Sequence, residues 1–246
     1  MKRVLVIAGS DSSGGAGLQR DLAVLAHEPV RVASVVTAIT AQSNAKVHGV
    51  HLVPQAMLAK QLGCALEEPV AAVKIGMLGT KLSVQTVATS LRALETTPVI
   101  LDPVLAASSG RALLERDALD ALRLELCPQV TLVTPNVSEA ALLLDAPEAR
   151  TETERAEQAQ KLSEQFQTAV LLKGGHTTGK LVVDLLARPG STIVGFASER
   201  IPTTMRGTGC ALSSLIAARL ANGSDLAWAC KSSKDSVGAL LKQQLW

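Results

Sequence analysis

Residues 4–17 are Val4-Leu5-Val6-Ile7-Ala8-Gly9-Ser10-Asp11-Ser12-Ser13-Gly14-Gly15-Ala16-Gly17. Five apolar residues open this stretch, a loop rich in glycine and serine follows, and helical spacing begins at residue 17 and runs to residue 27. A short continuous apolar run bounded by turn residues is typical of a strand buried on both faces. Strand, loop and helix in immediate succession predict the first unit of an α/β fold.

The same alternation continues along the chain. The strand candidates are residues 4–8, 32–38, 70–75, 99–101, 131–133, 170–172, 181–185 and 192–196. The helix candidates are residues 17–27, 54–66, 83–94, 117–126, 138–144, 153–166, 210–221 and 225–241. Because helices separate the first six apolar strands, we expect one domain over residues 1–246 with a largely parallel sheet covered on both faces. The last two strands are joined by a turn at 188–191 and predict an antiparallel hairpin at one edge.

The composition excludes several classes of function. The 246 residues are 47% hydrophobic but only 2% aromatic, with no tyrosine, which indicates an aliphatic core and leaves almost no platform for stacking nucleic-acid bases. The net charge is +2 and no long basic run occurs, so neither a nucleic-acid nor a membrane partner is expected. The N-terminal apolar run is too short for a signal peptide, and no run of 18 apolar residues appears. We therefore expect a soluble cytoplasmic protein.

The cysteines are widely spaced and form no metal-binding or disulfide pattern. They are Cys64, Cys127, Cys210 and Cys230. One of them belongs to the turn Gly207-Thr208-Gly209-Cys210, which opens an apolar helix. Glycines there allow close backbone approach, and unpaired N–H groups at the helix start favour an anion such as a transferring phosphoryl group. The same field favours a thiolate at Cys210 that could act as a base. The alternative is an ordinary glycine-rich turn before a buried cysteine.

Polar residues follow the ends of six predicted strands, where ligands of open α/β sheets bind. These segments are residues 9–17, 40–44, 76–80, 102–103, 134–136 and 173–176. Asp102 and Glu139 are the candidate magnesium carboxylates, because Mg²⁺ takes few protein carboxylates and completes its shell with water and phosphate. Lys173 could meet a nucleotide phosphate, and Asp21 could accept a hydrogen bond from a ligand. The alternatives are a first-turn helix acid for Glu139 and Asp21 and a solvated strand-end lysine for Lys173.

Several of these segments together resemble one known family. The ordered motifs are Ala8-Gly9-Ser10-Asp11, residues 13–17, Thr37-Ala38-Ile39-Thr40-Ala41-Gln42, Lys74-Ile75-Gly76-Met77-Leu78, Asp102-Pro103-Val104, Thr134-Pro135-Asn136, residues 173–176 and Gly207-Thr208-Gly209-Cys210. In this order they resemble the hydroxymethylpyrimidine/phosphomethylpyrimidine kinases of thiamine biosynthesis, in the ribokinase-like superfamily. The resemblance implies a three-layer α/β sandwich, ATP and Mg²⁺ as cofactors, phosphorylation of a hydroxymethylpyrimidine and then of its monophosphate, and a homodimer.

The resemblance also implies roles for individual residues. The pyrimidine pocket would be lined by Gly9, Asp21, Gln42, Met77 and Val104. Within it, the Gln42 amide would bond the ring nitrogens and the exocyclic amine, and Met77 would pack on the ring face. Asn136, Lys173 and Thr208 would face the nucleotide phosphates, Gly207, Thr208 and Gly209 would form the anion hole, and Cys210 would be the catalytic residue.

Three positions depart from the family pattern. Arg206 stands where the family usually has histidine, Ser108 where it has lysine, and Ser12 where it has proline. Two alternatives therefore stay open: a pyridoxal (vitamin B6) kinase, which phosphorylates a similar heterocycle, and a catalytically weak paralogue that binds a pyrimidine. Gln42 and Met77 favour the pyrimidine over pyridoxal. Arg206 could compensate in charge for the missing lysine.

Overall fold

Within the described residues, nine strands form one mixed sheet in the order β3-β2-β1-β4-β5-β6-β7-β8-β9. The computed structural model describes residues 1–43, 45–107, 110–175, 179–203 and 205–243. Its strands are β1 Lys2–Asp11, β2 Val30–Gln42, β3 Val47–Leu52, β4 Ala72–Ile75, β5 Val99–Leu101, β6 Leu132–Val133, β7 Ala169–Leu172, β8 Leu181–Ala187 and β9 Val194–Glu199. All of these strands belong to the same sheet, and the single domain over residues 1–246 stays a prediction.

The six central strands pair in parallel, in the order β2, β1, β4, β5, β6 and β7. Both edges are antiparallel, with β3 on β2 at one side and β8 and β9 following β7 at the other. The predicted parallel sheet and the predicted hairpin between the last two strands are therefore confirmed. The carboxyl ends of the parallel strands all meet at one edge, which brings the polar segments that follow them together.

Helices cover both faces of the sheet. They are α1 Gly17–Leu25, α2 Gln55–Leu66, α3 Lys81–Leu91, α4 Ala118–Ala121, α5 Val137–Leu144, α6 Glu152–Phe166, α7 Thr208–Ala221 and α8 Leu226–Gln243. Helix α4 continues as a π-helical segment, Leu122–Leu126, and ends in the 3-10 turn Cys127–Gln129. One apolar cluster packs α2 to α6 against the sheet, and a second packs α1, α7 and α8 against its other face. The predicted α/β sandwich is confirmed, and none of the described helices is long and apolar enough to cross a membrane.

The sequence prediction was wrong at one edge of the sheet. Residues 40–44 were expected to be a loop, but β2 continues to Gln42 and pairs with β3, which was not predicted. Strand β3 contains His48, Gly49 and His51 and has only one buried residue, Val47. Because the strand lacks a buried apolar face, its structure depends on pairing with β2 rather than on its own pattern.

Candidate active site

The loop after β1 closes tightly on the strand that precedes it. Gly17 has a φ of +59°, and a Cβ atom added there would lie 2.3 Å from the Gly9 carbonyl oxygen. Only glycine fits such a position without moving the backbone. The loop is also fixed from inside, since the Asp11 carboxylate accepts hydrogen bonds from the Ser13 N–H at 2.9 Å and the Ser13 hydroxyl at 2.8 Å. The loop therefore holds a fixed position at the carboxyl end of the sheet.

Two residues predicted for the pyrimidine pocket are in contact. A Cβ at Gly9 would lie 2.9 Å from the Met77 sulfur, so the absence of a side chain at Gly9 makes room for Met77. The Met77 carbonyl accepts a 2.6 Å hydrogen bond from the Thr37 hydroxyl, which fixes the segment after β4. Gly9 and Met77 therefore lie together at the end of the central strands, and their contacts with a pyrimidine stay predictions.

Gln42 and Val104 lie at the ends of β2 and β5. The backbone N–H of Gln42 donates to the Ser12 hydroxyl at 2.9 Å, and this hydroxyl lies 3.1 Å from the Gln42 carbonyl. Gln42 thus faces the loop after β1. The partly buried Val104 follows Asp102, with its N–H bonded to the Asp102 carbonyl at 2.8 Å. Their contacts with a pyrimidine stay predictions.

Asp21 of α1 is buried beside β4 and α7. Its side chain is fully buried and accepts hydrogen bonds from the Lys74 ammonium at 2.9 and 2.7 Å and from the Ser214 hydroxyl at 2.9 Å. The carboxylate that was expected to bond a ligand is thus already hydrogen-bonded inside the protein, and its contact with a pyrimidine stays a prediction. Asp21 instead connects α1 to β4 and α7 beneath the site.

Lys74 was not predicted as a site residue, although it interrupts an apolar strand. Burial opposes its charge most strongly, but Asp21, Cys210 and Asp102 together raise the pKa of the Lys74 ammonium. A Cβ at Gly76 would lie 3.0 Å from the Lys74 nitrogen, so glycine makes room for the ammonium group there. A lone lysine inside a buried strand was the signal in the sequence, because such a charge needs a partner.

The turn before α7 packs against the loop after β1. Gly207 has a φ of +75°, and a Cβ there would lie 2.4 Å from the Gly15 carbonyl oxygen. Helix α7 then starts at Thr208, and among the described residues no side chain caps it. The N–H groups of Thr208, Gly209 and Cys210 therefore precede the first helical hydrogen bond, from Ala211 N–H to the Gly207 carbonyl at 2.9 Å. This geometry suits the predicted anion hole.

The expected thiolate at Cys210 is not supported. Burial raises the pKa of the Cys210 thiol to about 11, although the Lys74 ammonium and a hydrogen bond from the Gly17 N–H act in the opposite direction. The helix start was expected to outweigh burial, but desolvation of a partly buried thiol is the larger effect. Cys210 is thus a neutral thiol near pH 7 in this structure, facing the loop after β1.

A charged cluster lies beside the turn before α7, on the side opposite the loop after β1. The Lys173 ammonium donates to Asp102 at 2.6 Å and lies 3.8 Å from Glu139. Burial opposes its charge, but the Asp102 and Glu139 carboxylates raise the pKa of Lys173. A Cβ at Gly209 would lie 3.1 Å from the Lys173 nitrogen and 3.4 Å from an Asp102 oxygen. Lys173 is therefore paired rather than solvated, and it lies directly beside the turn.

Asn136 and Glu139 together cap α5. The Asn136 side chain accepts from the Glu139 N–H at 2.8 Å, and the Glu139 carboxylate accepts from the Asn136 N–H at 2.7 Å. Burial, opposed by Lys173 and aided by Asp102, raises the pKa of Glu139 to about 7. The alternative of a first-turn helix acid is thus confirmed for Glu139, while Asn136, expected to face phosphates, uses its side-chain oxygen in the cap.

The Asp102 and Glu139 carboxylates beside Lys173 are the candidate ligands for a magnesium ion bound with a nucleotide. In the described part of the chain, no group of three or more His, Cys, Asp or Glu side chains is arranged to hold a metal ion. Mg²⁺ bound with a nucleotide needs only one or two carboxylates, with water and phosphate completing its shell. Asp102 and Glu139, brought together by Lys173, fit that requirement. Glycine at position 209 lets Lys173 and Asp102 lie against the start of α7, where a side chain would crowd them.

Comparison with known proteins identifies the family. A family model described as phosphomethylpyrimidine kinase matches residues 11–245. The chain belongs to this family. A hydroxymethylpyrimidine/phosphomethylpyrimidine kinase from Rhizobium meliloti is 43% identical over 239 residues, which covers 96% of this chain and 89% of the relative. Multifunctional thiamine biosynthesis proteins from two Corynebacterium species are 41% and 42% identical, but this chain spans only 29% and 30% of their length.

Solved structures give the same fold. A phosphomethylpyrimidine kinase from Clostridium difficile is 30% identical with a TM-score of 0.85, covering 98% of this chain and 100% of that chain. A pyridoxal kinase from Staphylococcus aureus in complex with ADP is 28% identical with a TM-score of 0.90, covering 98% of this chain and 88% of that chain. The predicted family and ribokinase-like fold are therefore confirmed, and the domain is of the phosphotransferase class.

Proposed function

We propose that this domain uses ATP to phosphorylate 4-amino-5-hydroxymethyl-2-methylpyrimidine, and then phosphorylates the monophosphate to the diphosphate, in thiamine biosynthesis. One observation carries the proposal. The turn at Gly207–Cys210 has the charged cluster of Lys173 and Asp102 beside Gly209 and the loop after β1 beside Cys210. A single set of backbone N–H groups thus lies between a nucleotide side and an acceptor side, as phosphoryl transfer requires.

The residues of this chain have separable roles in the proposal. Lys173 pairs with phosphate charge, and Asp102 and Glu139 hold Mg²⁺ or its water molecules. The N–H groups of Thr208, Gly209 and Cys210 stabilise negative charge that develops on the transferred group. When bound, magnesium ATP supplies the phosphoryl group and part of the charge neutralisation. Gly9, Met77, Gln42 and Val104 orient the acceptor.

Cys210 has a narrower role than the sequence indicated. Only its ionised form could take the proton of the acceptor hydroxyl, and this form is scarce near neutral pH because the pKa is about 11. The monophosphate acceptor of the second step is ionised near neutral pH and has little need of a base. We therefore assign Cys210 to the first step and the backbone N–H groups to both.

A pyridoxal kinase activity is the second candidate. It is supported by the TM-score of 0.90 to the pyridoxal kinase from Staphylococcus aureus, whose structures include a complex with pyridoxal. The Gly9–Met77 contact and Gln42 favour the pyrimidine. A homodimer in the cytoplasm, without nucleic-acid or membrane partners, remains part of the proposal. Ser108, one of the departures from the family pattern, lies outside the described residues.

Steady-state kinetics test the proposal. Release of ADP is measured with the hydroxymethylpyrimidine, its monophosphate and pyridoxal, each at saturating ATP and Mg²⁺. We expect the highest kcat/KM for the two pyrimidines. A higher value for pyridoxal would favour the second candidate. Pyrimidine binding by calorimetry without any release of ADP would contradict the proposal and indicate a non-catalytic binding protein.

A further inference from the structure

A buried ion pair connects α8 to β8, the strand that follows Lys173 and Gly174 along the chain. The Lys234 ammonium on α8 lies 2.8 Å from the Asp184 carboxylate on β8, and the two side chains are 10% and 7% exposed. The other Asp184 oxygen accepts a 2.7 Å hydrogen bond from the buried N–H of Gly174. The carboxylate thus bonds to a helix on one side and to the residue next to Lys173 on the other.

Gly174 is pressed against β8 at this point. A Cβ there would lie 2.1 Å from the Val183 carbonyl oxygen, closer than any side chain could tolerate. The same carbonyl accepts a 3.2 Å hydrogen bond from Arg155 of α6, so it is itself held in place. The backbone at Gly174 therefore has little freedom, and the Asp184 hydrogen bond sets where it lies along the strand.

The neighbours of Gly174 are fixed from other directions. The Lys173 N–H donates to the Pro135 carbonyl at 2.8 Å, and Arg200 donates to the carbonyls of Gly175 at 2.9 Å and Gly179 at 2.8 Å. Lys173 then reaches Asp102, beside Gly209. Pro135 therefore holds the backbone N–H of Lys173, and Asp102 holds its ammonium group. Asp184 holds the N–H of Gly174, the next residue along the chain.

We infer that Asp184 and Lys234 are positioning residues of the nucleotide site, acting through the Gly174 backbone on Lys173. This inference rests on the proposed function, because it takes Lys173 as the residue that meets phosphate. Removing Lys234 would break this buried ion pair and leave the Asp184 charge uncompensated while the Gly174 N–H still bonds it, which is strongly destabilising. Loss of Lys234 therefore displaces Gly174 and Lys173 while leaving the acceptor side intact.

The experiment compares ADP binding, measured by calorimetry, with KM for ATP and for the pyrimidine. Lys234→Met should raise the Kd for ADP and the KM for ATP about three- to tenfold, because small displacements of a binding group are costly. The KM for the pyrimidine should stay within about twofold, since the acceptor loops are far along the sheet. Lys234→Arg keeps the charge and should restore most of the ADP affinity.

Two further variants separate this role from general stability. Lys231→Met removes an exposed lysine of the same helix, paired with Asp235 at 2.8 Å, and should leave ADP binding unchanged. In the double variant Lys234→Met with Asp184→Asn, the amide oxygen still accepts from Gly174 and no buried charge remains, so ADP affinity should recover relative to Lys234→Met alone. Thermal unfolding of each variant identifies any loss of fold.

The outcomes distinguish the two proposals. Unchanged ADP affinity in folded Lys234→Met would overturn the positioning role, and so would an equal loss of ADP and pyrimidine affinity. Wild-type protein that binds ADP but phosphorylates no pyrimidine would contradict the proposed function, while the selective effect on ADP affinity would still support the role of Asp184 and Lys234. Wild-type protein that does not bind ADP would overturn both.

Discussion

The guanidinium of Arg206 lies 2.9 Å from the Asp11 carboxylate and joins three loops around the acceptor side. It also donates to the Ser13 hydroxyl at 3.0 Å and to the Ser43 carbonyl at 3.1 Å. The loop after β1, the loop after β2 and the turn before α7 are therefore held by one side chain. Arg206 thus connects these loops, a structural role in addition to the charge compensation expected from the sequence.

Arg206→Gln should loosen the acceptor side selectively. Hydrogen bonds to charged groups contribute about 1.5–3 kcal/mol, so we expect the KM for the pyrimidine to rise about tenfold or more. The KM for ATP should change little, because the hydrogen bonds described above connect Arg206 to Asp11, Ser13 and Ser43 on the acceptor side. Steady-state kinetics with each substrate varied in turn measure this difference. An equal rise in both KM values would contradict the assignment of Arg206 to the acceptor side.

Gln42→Ala should weaken pyrimidine binding by tens of fold. The amide is proposed to bond the aminopyrimidine edge, and a polar group left unpaired in a closed pocket costs about 1–3 kcal/mol. Calorimetry with the pyrimidine and, separately, with ADP should show that only the first affinity falls. Gln85→Ala is the matched control, because Gln85 bonds the Glu125 carboxylate on the surface at 2.9 Å. Wild-type pyrimidine affinity in Gln42→Ala would remove this residue from the pocket.

Asp102→Asn and Glu139→Gln should each raise the Mg²⁺ concentration required for half-maximal rate and lower kcat. An amide is a weaker ligand for a hard cation than a carboxylate is. The Glu139→Gln amide oxygen can still accept from the Asn136 N–H, so the cap of α5 and the fold should be retained. Glu154→Gln provides a matched control, because Glu154 forms the same kind of cap with Thr151 on α6. Wild-type magnesium dependence in both site variants would make them structural residues only.

Near pH 10, where the Cys210 thiolate is more abundant, Cys210→Ala should slow phosphorylation of the alcohol far more than that of the monophosphate. General-base assistance is worth about 10²–10⁴-fold, and only the first acceptor needs it. With a pKa of about 11, the Cys210 thiolate increases about tenfold per pH unit from pH 7 to pH 10, so the first step should accelerate over that range. The second step should vary much less with pH. Cys210→Asp should recover part of the first step, and wild-type rates of both steps in Cys210→Ala would leave Cys210 a packing residue.

Thiol alkylation gives an independent check on Cys210. The thiolate that the sequence favoured at Cys210 would make it the most reactive of the cysteines. Cys64 is exposed, whereas Cys210 is partly buried with a raised pKa. We therefore expect iodoacetamide to modify Cys64 first near pH 7, as measured by mass spectrometry of the digested protein. Faster labelling of Cys210 would show that its thiolate is more abundant than burial implies.

The order of elements was predictable because burial leaves a clear pattern. The apolar runs that became β1, β4 and β5 are buried on both faces, and such runs are visible without any knowledge of the fold. Strand β3 has no such run, and it was missed. The convergence of Asp102 and Lys173 was also predictable, since parallel strands place their carboxyl ends at one edge.

Pairings between distant side chains were not predictable. Asp21 bonds Lys74, 53 residues away, and Ser214, 193 residues away. Asp184 bonds Lys234, 50 residues away, and Arg206 bonds Asp11, 195 residues away. Periodicity reports which face of an element is buried, but not which polar group meets another across the sheet. The raised pKa of Cys210 belongs to the same class, since it depends on burial by the whole fold.

The fully buried pair of Asp21 and Lys74 constrains how this sequence can diverge. Losing either partner alone leaves an uncompensated charge in the core, whereas losing both together can be nearly neutral in stability. Descendants of this sequence should therefore keep both residues or exchange both, and intermediates with only one should be rare. Because Asp21 also bonds α7 through Ser214, the same restriction extends to the helix that opens at Thr208. Positions 21 and 74 should consequently co-vary among related sequences.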